Sequence, residues 1–153
     1  MIKLDHTDRK ILDALQRNGR LSNAELAAQV NLSPSACLRR LHLLLEGYLV
    51  AGTHLVLDQK AFGFPGTAYI FITLDGQERS QLDAFEARIQ MVAQVQECYL
   101  LAGQADYLLR VVYNGAEDLE RLHSEVLTRL PGIVRVQSTL TLRTVKRTTR
   151  LPL

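Results

Sequence analysis

Apolar positions in the first third of the chain recur at three- and four-residue spacing, and serine or aspartate interrupts them at intervals. In "LDHTDRKILDALQRNG", Ile11, Leu12 and Leu15 share a face, Asp5 stands as N-cap, and Asp8 sits in the first turn, where the helix dipole favours an acid. Asn18 and Gly19 stop this helix. Ser22 and Glu25 then form an S-x-x-E capping box ahead of the stripe Leu26, Ala27 and Val30, and Asn31 can take the left-handed conformation that ends a helix. Ser33 and Pro34 open a third helix, with serine as N-cap and proline at the first helical position, where no partner is needed for its missing N–H. Leu38, Leu41, Leu44 and Leu45 are its expected buried face, and Gly47 closes it. So short a link between the second and third helices cannot lay them antiparallel. They must cross steeply, as in a helix-turn-helix.

Beyond Gly47 the pattern changes. "YLVAGTHLVL", Tyr48 to Leu57, favours an extended strand, and the turn formers of "DQKAFGFPG" place a boundary near Gly63 to Gly66. "TAYIFITL" reads as a strand, Leu82, Phe85, Ile89 and Val92 as a helix, and "QECYLLA" as a second strand. After the turn "GQAD", "YLLRVVY" is a third strand; Leu119, Leu122, Val126 and Leu130 mark a helix ending at Pro131 and Gly132, and "IVRVQSTLTLRTV" is a fourth strand. The order β-α-β-β-α-β is the ferredoxin-like pattern. The fold class is therefore α+β. Alternating apolar residues in "TAYIFITL" and "YLLRVVY" also leave more hydrophobic surface than two helices cover, which predicts a homodimer closed through that face.

Charge adds a direction to this picture. Residues 1–60 hold eight Lys/Arg against six Asp/Glu, residues 61–142 six against ten, and Arg143 to Arg150 adds four positive charges with none opposing. Basic ends around an acidic middle attract a polyanion to the ends. All nine aromatic residues lie at or after Tyr48, so the helical N-terminal part offers no stacking platform for single strands. Duplex DNA is the expected partner. No apolar run is long enough to span a membrane and the N-terminus is charged, which predicts a cytoplasmic chain with no membrane contact.

Catalysis has little support in the sequence: His6, His42, His54 and His123 are scattered, and no nucleophile motif, phosphate-binding glycine loop or flanked carboxylate pair stands out. No cofactor or metal is expected. Cys37 and Cys98 are too far apart in sequence for a metal-ligand pair and read as small buried hydrophobes. In the third helix Ser35, Ala36, Arg39, Arg40 and His42 face away from the leucines; arginine there can bond guanine in the major groove or pair with phosphate. Ser22 and Asn23, with Ser33 at the start of the third helix, complete the expected DNA-contacting set, and two copies would address a palindromic operator. In "LAGQADY", Gly103 would let a ligand approach the backbone, and Asp106 would offer charge to an ammonium group. Alternatively "GQAD" is only a hairpin turn, with Asp106 bonding its own backbone.

The stretches "LDHTDRKILDALQRNGRLSNAELAAQVNLSPSACLRR", "QECYLLAGQADYLLRV" and "LPGIVRVQSTLTL" together resemble the Lrp/AsnC family of transcription regulators over essentially the whole chain. The resemblance implies a winged helix-turn-helix over residues 1–50, a hinge strand and linker over 51–66, and a ferredoxin-like effector-binding and oligomerisation domain over 67–153. It implies a homodimer, further assembly into octamers, and an amino-acid effector lodged at Leu101, Ala102, Gly103, Gln104 and Asp106 with Ser138, Thr139 and Leu140 of the last strand. "LHLLLEG" is shorter than the family's usual stretch, and Gln104 and Ala105 depart from its usual turn. Two other functions remain open: a ligand-independent, chromatin-like DNA binder, and a regulatory subunit of an amino-acid enzyme.

Overall fold

The computed structural model describes residues 4–47 and 49–153. They form two compact units: the first runs to Val56 and takes in Lys146–Leu153, and the second is Leu57–Val145. The sequence assigns 67–153 to one domain, whereas the final eight residues belong to the first unit. There Leu151 donates its N–H to Gln16 Oε1 at 2.7 Å and accepts from Gln16 Nε2 at 3.2 Å, while Arg150 reaches Asp13 at 3.5 Å.

In the first unit, α1 spans His6–Arg17, α2 Asn23–Val30 and α3 Pro34–Glu46. Each start follows from its cap. Asp5 accepts from the Asp8 N–H and Asp8 answers to the Asp5 N–H; Ser22 and Glu25 make the same reciprocal pair. Asn31 ends α2 at φ 56° and ψ 47°, the left-handed region that asparagine tolerates. Ile11, Leu26, Ala27, Val30, Cys37 and Leu44 form the core. The expected leucine face of α3 is therefore rotated: Cys37 and Leu44 are buried with Leu41 packed beside them, while Leu38 and Leu45 are 44% and 47% exposed. Spacings of three and four residues fit both phases of so leucine-rich a helix, and contact with α1 and α2 selects the one through Cys37.

The expected strand Tyr48 to Leu57 begins outside the described residues, and from Leu49 onward it forms no ladder. Its backbone finds no neighbouring strand to pair with, so apolar and β-favouring composition alone leaves it irregular. Among the described residues the first unit holds no regular strand.

The second unit is a four-stranded antiparallel sheet with order β2-β3-β1-β4. Its elements are β1 Gly66–Leu74, α4 Arg79–Ile89, β2 Val95–Leu100, β3 Tyr107–Tyr113, α5 Ala116–Arg121 and β4 Ile133–Leu140. Period-2 alternation sends Ala68, Ile70, Ile72 and Leu74 into a core shared with Tyr107, Leu109 and Val111 and with Phe85, Ile89 and Leu122. Tyr69, Phe71 and Thr73 point to the opposite face.

After α5 the helix widens into a π turn, Leu122–Val126, and then tightens into a 3₁₀ turn, Leu127–Arg129. Leu122 and Leu127 are both fully buried, and a wider turn brings residues five apart onto one face. Regular helical spacing hides Leu127, which the sequence pattern missed. Gly132, at φ +74°, then turns the chain into β4. β4 stops at Leu140 rather than running to Val145: Thr141 still turns its N–H and its hydroxyl onto the Thr67 carbonyl, but β1 begins at Gly66 and offers nothing opposite the residues after 142. Cys98 proves exposed on the edge strand β2, unlike the buried Cys37.

Candidate functional site

Three residues, Asn31 to Ser33, separate α2 from α3, and Leu32 N–H bonds back to the Ala27 carbonyl at 2.9 Å. Asn23 ties the two helix starts together, its Nδ2 donating to the Pro34 carbonyl at 2.8 Å. Ser33 caps α3 by accepting from the Ala36 N–H at 3.3 Å, and its hydroxyl lies 3.3 Å from that of Ser35. The first turn of α3 carries no acid, unlike those of α1 and α2, so the positive end of its dipole is not neutralised from within. Ser35, Arg39 and His42 are exposed at i, i+4 and i+7, which aligns them along one face. Arg39 has no ion-pair partner among the described residues.

Arg40 is placed differently. Its Nη1 donates at 2.7 Å both to Asp5 Oδ2 and to Asp8 Oδ1. The two aspartates are the reciprocal cap of α1, so the acids that start α1 also draw the guanidinium of α3. The Asp8 N–H, and then Arg40, hold the Asp5 carboxyl below the ordinary carboxylate range. Ser22 is likewise engaged, donating to Glu25 Oε2 at 2.7 Å while capping α2. Of the eight expected contact residues, Ser35, Arg39 and His42 share an open face with Ala36 half-buried beside them. Ser22, Asn23, Ser33 and Arg40 are tied into the helix scaffold.

In the second unit a cleft of about 270 Å³ opens between β1, β4 and the turn before β3. Its lining is Phe71, Thr73, Leu101, Gln104, Ala105, Arg135 and Gln137. Strand register explains the set: Phe71 pairs with Gln137 and Thr73 with Arg135, all on the face turned away from the helices. Leu101 and Gln104 are thus the expected effector residues that line it. Ala102 and Gly103 belong to the same turn without lining it, and Ser138, Thr139 and Leu140 lie further along β4. A Cβ at Gly103 would meet no atom within 4 Å, so this chain's own packing does not require glycine there.

Asp106 lies behind this turn, 6% exposed. Its Oδ2 accepts from the buried Leu74 N–H at 2.7 Å and its Oδ1 from Gln77 Nε2 at 2.6 Å. Its backbone is held too, its N–H on the Ile72 carbonyl and its carbonyl accepting from Leu101. The carboxylate therefore satisfies the end of β1 instead of standing open in the cleft. Sequence reasoning missed Phe71, Thr73, Arg135 and Gln137, although the outward alternation of β1 pointed to the first two.

Residues 4–45 match the family model of the AsnC-type helix-turn-helix domain, and residues 67–151 that of the Lrp/AsnC ligand binding domain. The chain is 36% identical over 152 residues to the transcriptional regulator AzlB of Bacillus subtilis, a match covering 99% of this chain and 97% of that protein. It is similar to a transcriptional regulator of Neisseria meningitidis solved as its L-methionine complex, with 34% identity, a TM-score of 0.94 and coverage of 98% and 97% of the two chains. A feast or famine regulatory protein from M. tuberculosis, also complexed with L-methionine, matches at 31% identity and a TM-score of 0.86, over 97% of this chain and 99% of that one. Among the described residues no helix is long and apolar enough to cross a membrane. With a helix-turn-helix in its first unit and the ligand-binding fold in its second, the chain belongs to the Lrp/AsnC family of transcriptional regulators.

Proposed function

We propose that an amino acid bound in the cleft of the second unit controls how the helix-turn-helix engages a specific operator. The observation that carries this reading is the cleft itself, built from the turn Leu101–Ala105 and the outward residues of β1 and β4. Two structural neighbours crystallised with L-methionine support an amino acid as occupant. On the DNA side, Ser35, Ala36, Arg39 and His42 reach base edges or phosphates, and the positive end of α3, which no acid in its first turn neutralises, receives a phosphate. Asn23, Ser33 and Arg40 act indirectly by fixing where α3 lies.

The working form is a homodimer. Tyr69 of β1 and Leu108 of β3 lie on the sheet face that the helices leave open, beside the cleft, and a second copy of that face covers them isologously. Two α3 helices then read a palindromic operator, while assembly into octamers rests on family membership. The chain acts by binding rather than catalysis, in the cytoplasm where the chromosome lies. A ligand can bias this assembly only by its differential affinity for the states involved.

Two measurements on the full chain test this. Calorimetry with a panel of amino acids gives at least one binder, and operator affinity, followed by fluorescence anisotropy, changes when that binder is added and falls log-linearly with salt. No binder in the panel, or a binder without effect on DNA affinity, refutes effector control. A monomer at micromolar concentration in sedimentation refutes the dimer.

A further inference from the structure

The charge of the cleft narrows the effector to a subclass. We infer that the cleft selects small carboxylates of net negative charge, either an amino acid with an acidic side chain or the corresponding 2-oxo acid, and that Arg135 sets this preference. The inference rests on the effector reading above.

Arg135 is the one formally charged side chain among the seven that line the cleft. It has no ion-pair partner among the described residues, and its one hydrogen bond, Nη2 to Gln137 Oε1 at 3.3 Å, reaches a neutral acceptor. Its cross-strand partner is Thr73, also neutral. Neither acid that adjoins the lining in sequence, Asp75 or Asp106, lines the cleft, and Asp106 has both oxygens engaged by Leu74 and Gln77. A ligand in the cleft therefore meets a cation with most of its five donors uncommitted, and no anion.

A guanidinium fork matches a carboxylate in two parallel hydrogen bonds. Because the Gln137 carbonyl already accepts from Arg135, its amide NH₂ is the end left to donate. It faces the same space as Thr73 and Gln104, so a second carboxylate finds neutral donors there. An α-ammonium group has only the neutral acceptors of Thr73 and Gln104, with no counter-charge in the lining. A cationic ligand side chain meets only a like charge.

Calorimetry on the full chain at fixed low ionic strength tests this with glutamate, 2-oxoglutarate, methionine and lysine. Glutamate or 2-oxoglutarate should bind at least about tenfold more tightly than methionine, with lysine weakest. The glutamate and 2-oxoglutarate arms tell the two sources of negative charge apart. Arg135→Gln should lose about tenfold on the anionic ligands while shifting methionine less than about twofold, and Arg135→Lys should keep part of the preference. Arg135 belongs to no core cluster, so both variants should keep the wild-type thermal melt and the wild-type sedimentation, which checks that fold and dimer are intact. Methionine or lysine binding as tightly as the anionic ligands, or an unchanged preference in Arg135→Gln, overturns the inference and leaves the effector reading standing. No binding by any of the four overturns the inference, and silence across the wider amino-acid panel takes the effector reading with it.

Discussion

Replacing Asp106 by alanine separates a carboxylate that holds the fold from one that holds a ligand. In the structure it accepts the buried Leu74 N–H at 2.7 Å and Gln77 at 2.6 Å. Alanine leaves that N–H without a partner away from water, which costs about 1–3 kcal/mol. With the charge-assisted bond from Gln77 also lost, a net destabilisation of about 2–3 kcal/mol follows. For a domain the size of the second unit, each kcal/mol lowers the melting temperature by roughly 4–8 °C, so a fall of about 10–20 °C is expected. Asp106→Asn, which keeps the shape and one carbonyl acceptor for Leu74, should recover most of it. Circular dichroism melts measure the stability, and calorimetry at a temperature where the variants remain folded measures any ligand. An Asp106→Ala protein melting within about 2 °C of wild type but blind to ligand would refute the structural role and return the residue to the ligand.

The Arg40 clamp should behave as a scaffold contact: Arg40→Gln lowers the urea midpoint of the first unit, and a double-mutant cycle with Asp8→Asn shows coupling, absent if the arginine serves DNA alone. Because the folded Asp5 carboxyl titrates below its unfolded value, its contribution is present above the ordinary carboxylate range and is lost as pH falls through the folded value. The Arg40–Asp5 coupling should thus hold from neutral pH to about pH 4 and vanish below, and a coupling lost already near neutrality contradicts the clamp. Ser33→Ala removes the acceptor of the Ala36 N–H and should destabilise the first unit by about 1 kcal/mol, with Ser33→Gly nearer wild type. Arg39→Ala should weaken operator binding by about 1–3 kcal/mol without changing the melt, and anisotropy showing wild-type affinity would remove Arg39 from the interface.

What the sequence made legible was local chemistry. Ser22 with Glu25, Asn31, and Ser33 with Pro34 each announce a helix end through bonds or backbone preferences that reach no further than one helical turn, and all stand where expected. "YLLRVVY" is rich in β-branched and aromatic residues and bounded by the turn before it, and β3 matches Tyr107–Tyr113 residue for residue. Partners distant in sequence stayed hidden. The choice between Cys37 and Leu38 as the inward residue of α3 depends on the other helices, and whether residues 49–57 form a ladder depends on a neighbouring strand that their own composition does not specify. At the candidate sites the same rule applies. Arg40 was legible as a basic residue of α3 but not as the neighbour of Asp5, 35 positions earlier. Asp106 was legible as an acid in a turn, but its bond to Leu74 spans 32 positions. Arg135 and Gln137 enter the cleft only through their register with β1.

The return of the last residues to α1 has a consequence for the order of folding. The Gln16–Leu151 bonds close a sequence separation of 135, with the entire second unit made in between. On a chain emerging from its N-terminus, the three helices have their core residues early, yet the amide of Gln16 waits until synthesis has passed through the sensor. The tail contact should therefore form late and contribute little to the folding transition state, so that loosening it, as in Gln16→Ala, accelerates unfolding while leaving the refolding rate of the first unit nearly unchanged. Stopped-flow refolding slowed as much as unfolding is accelerated would instead place the tail in the nucleus.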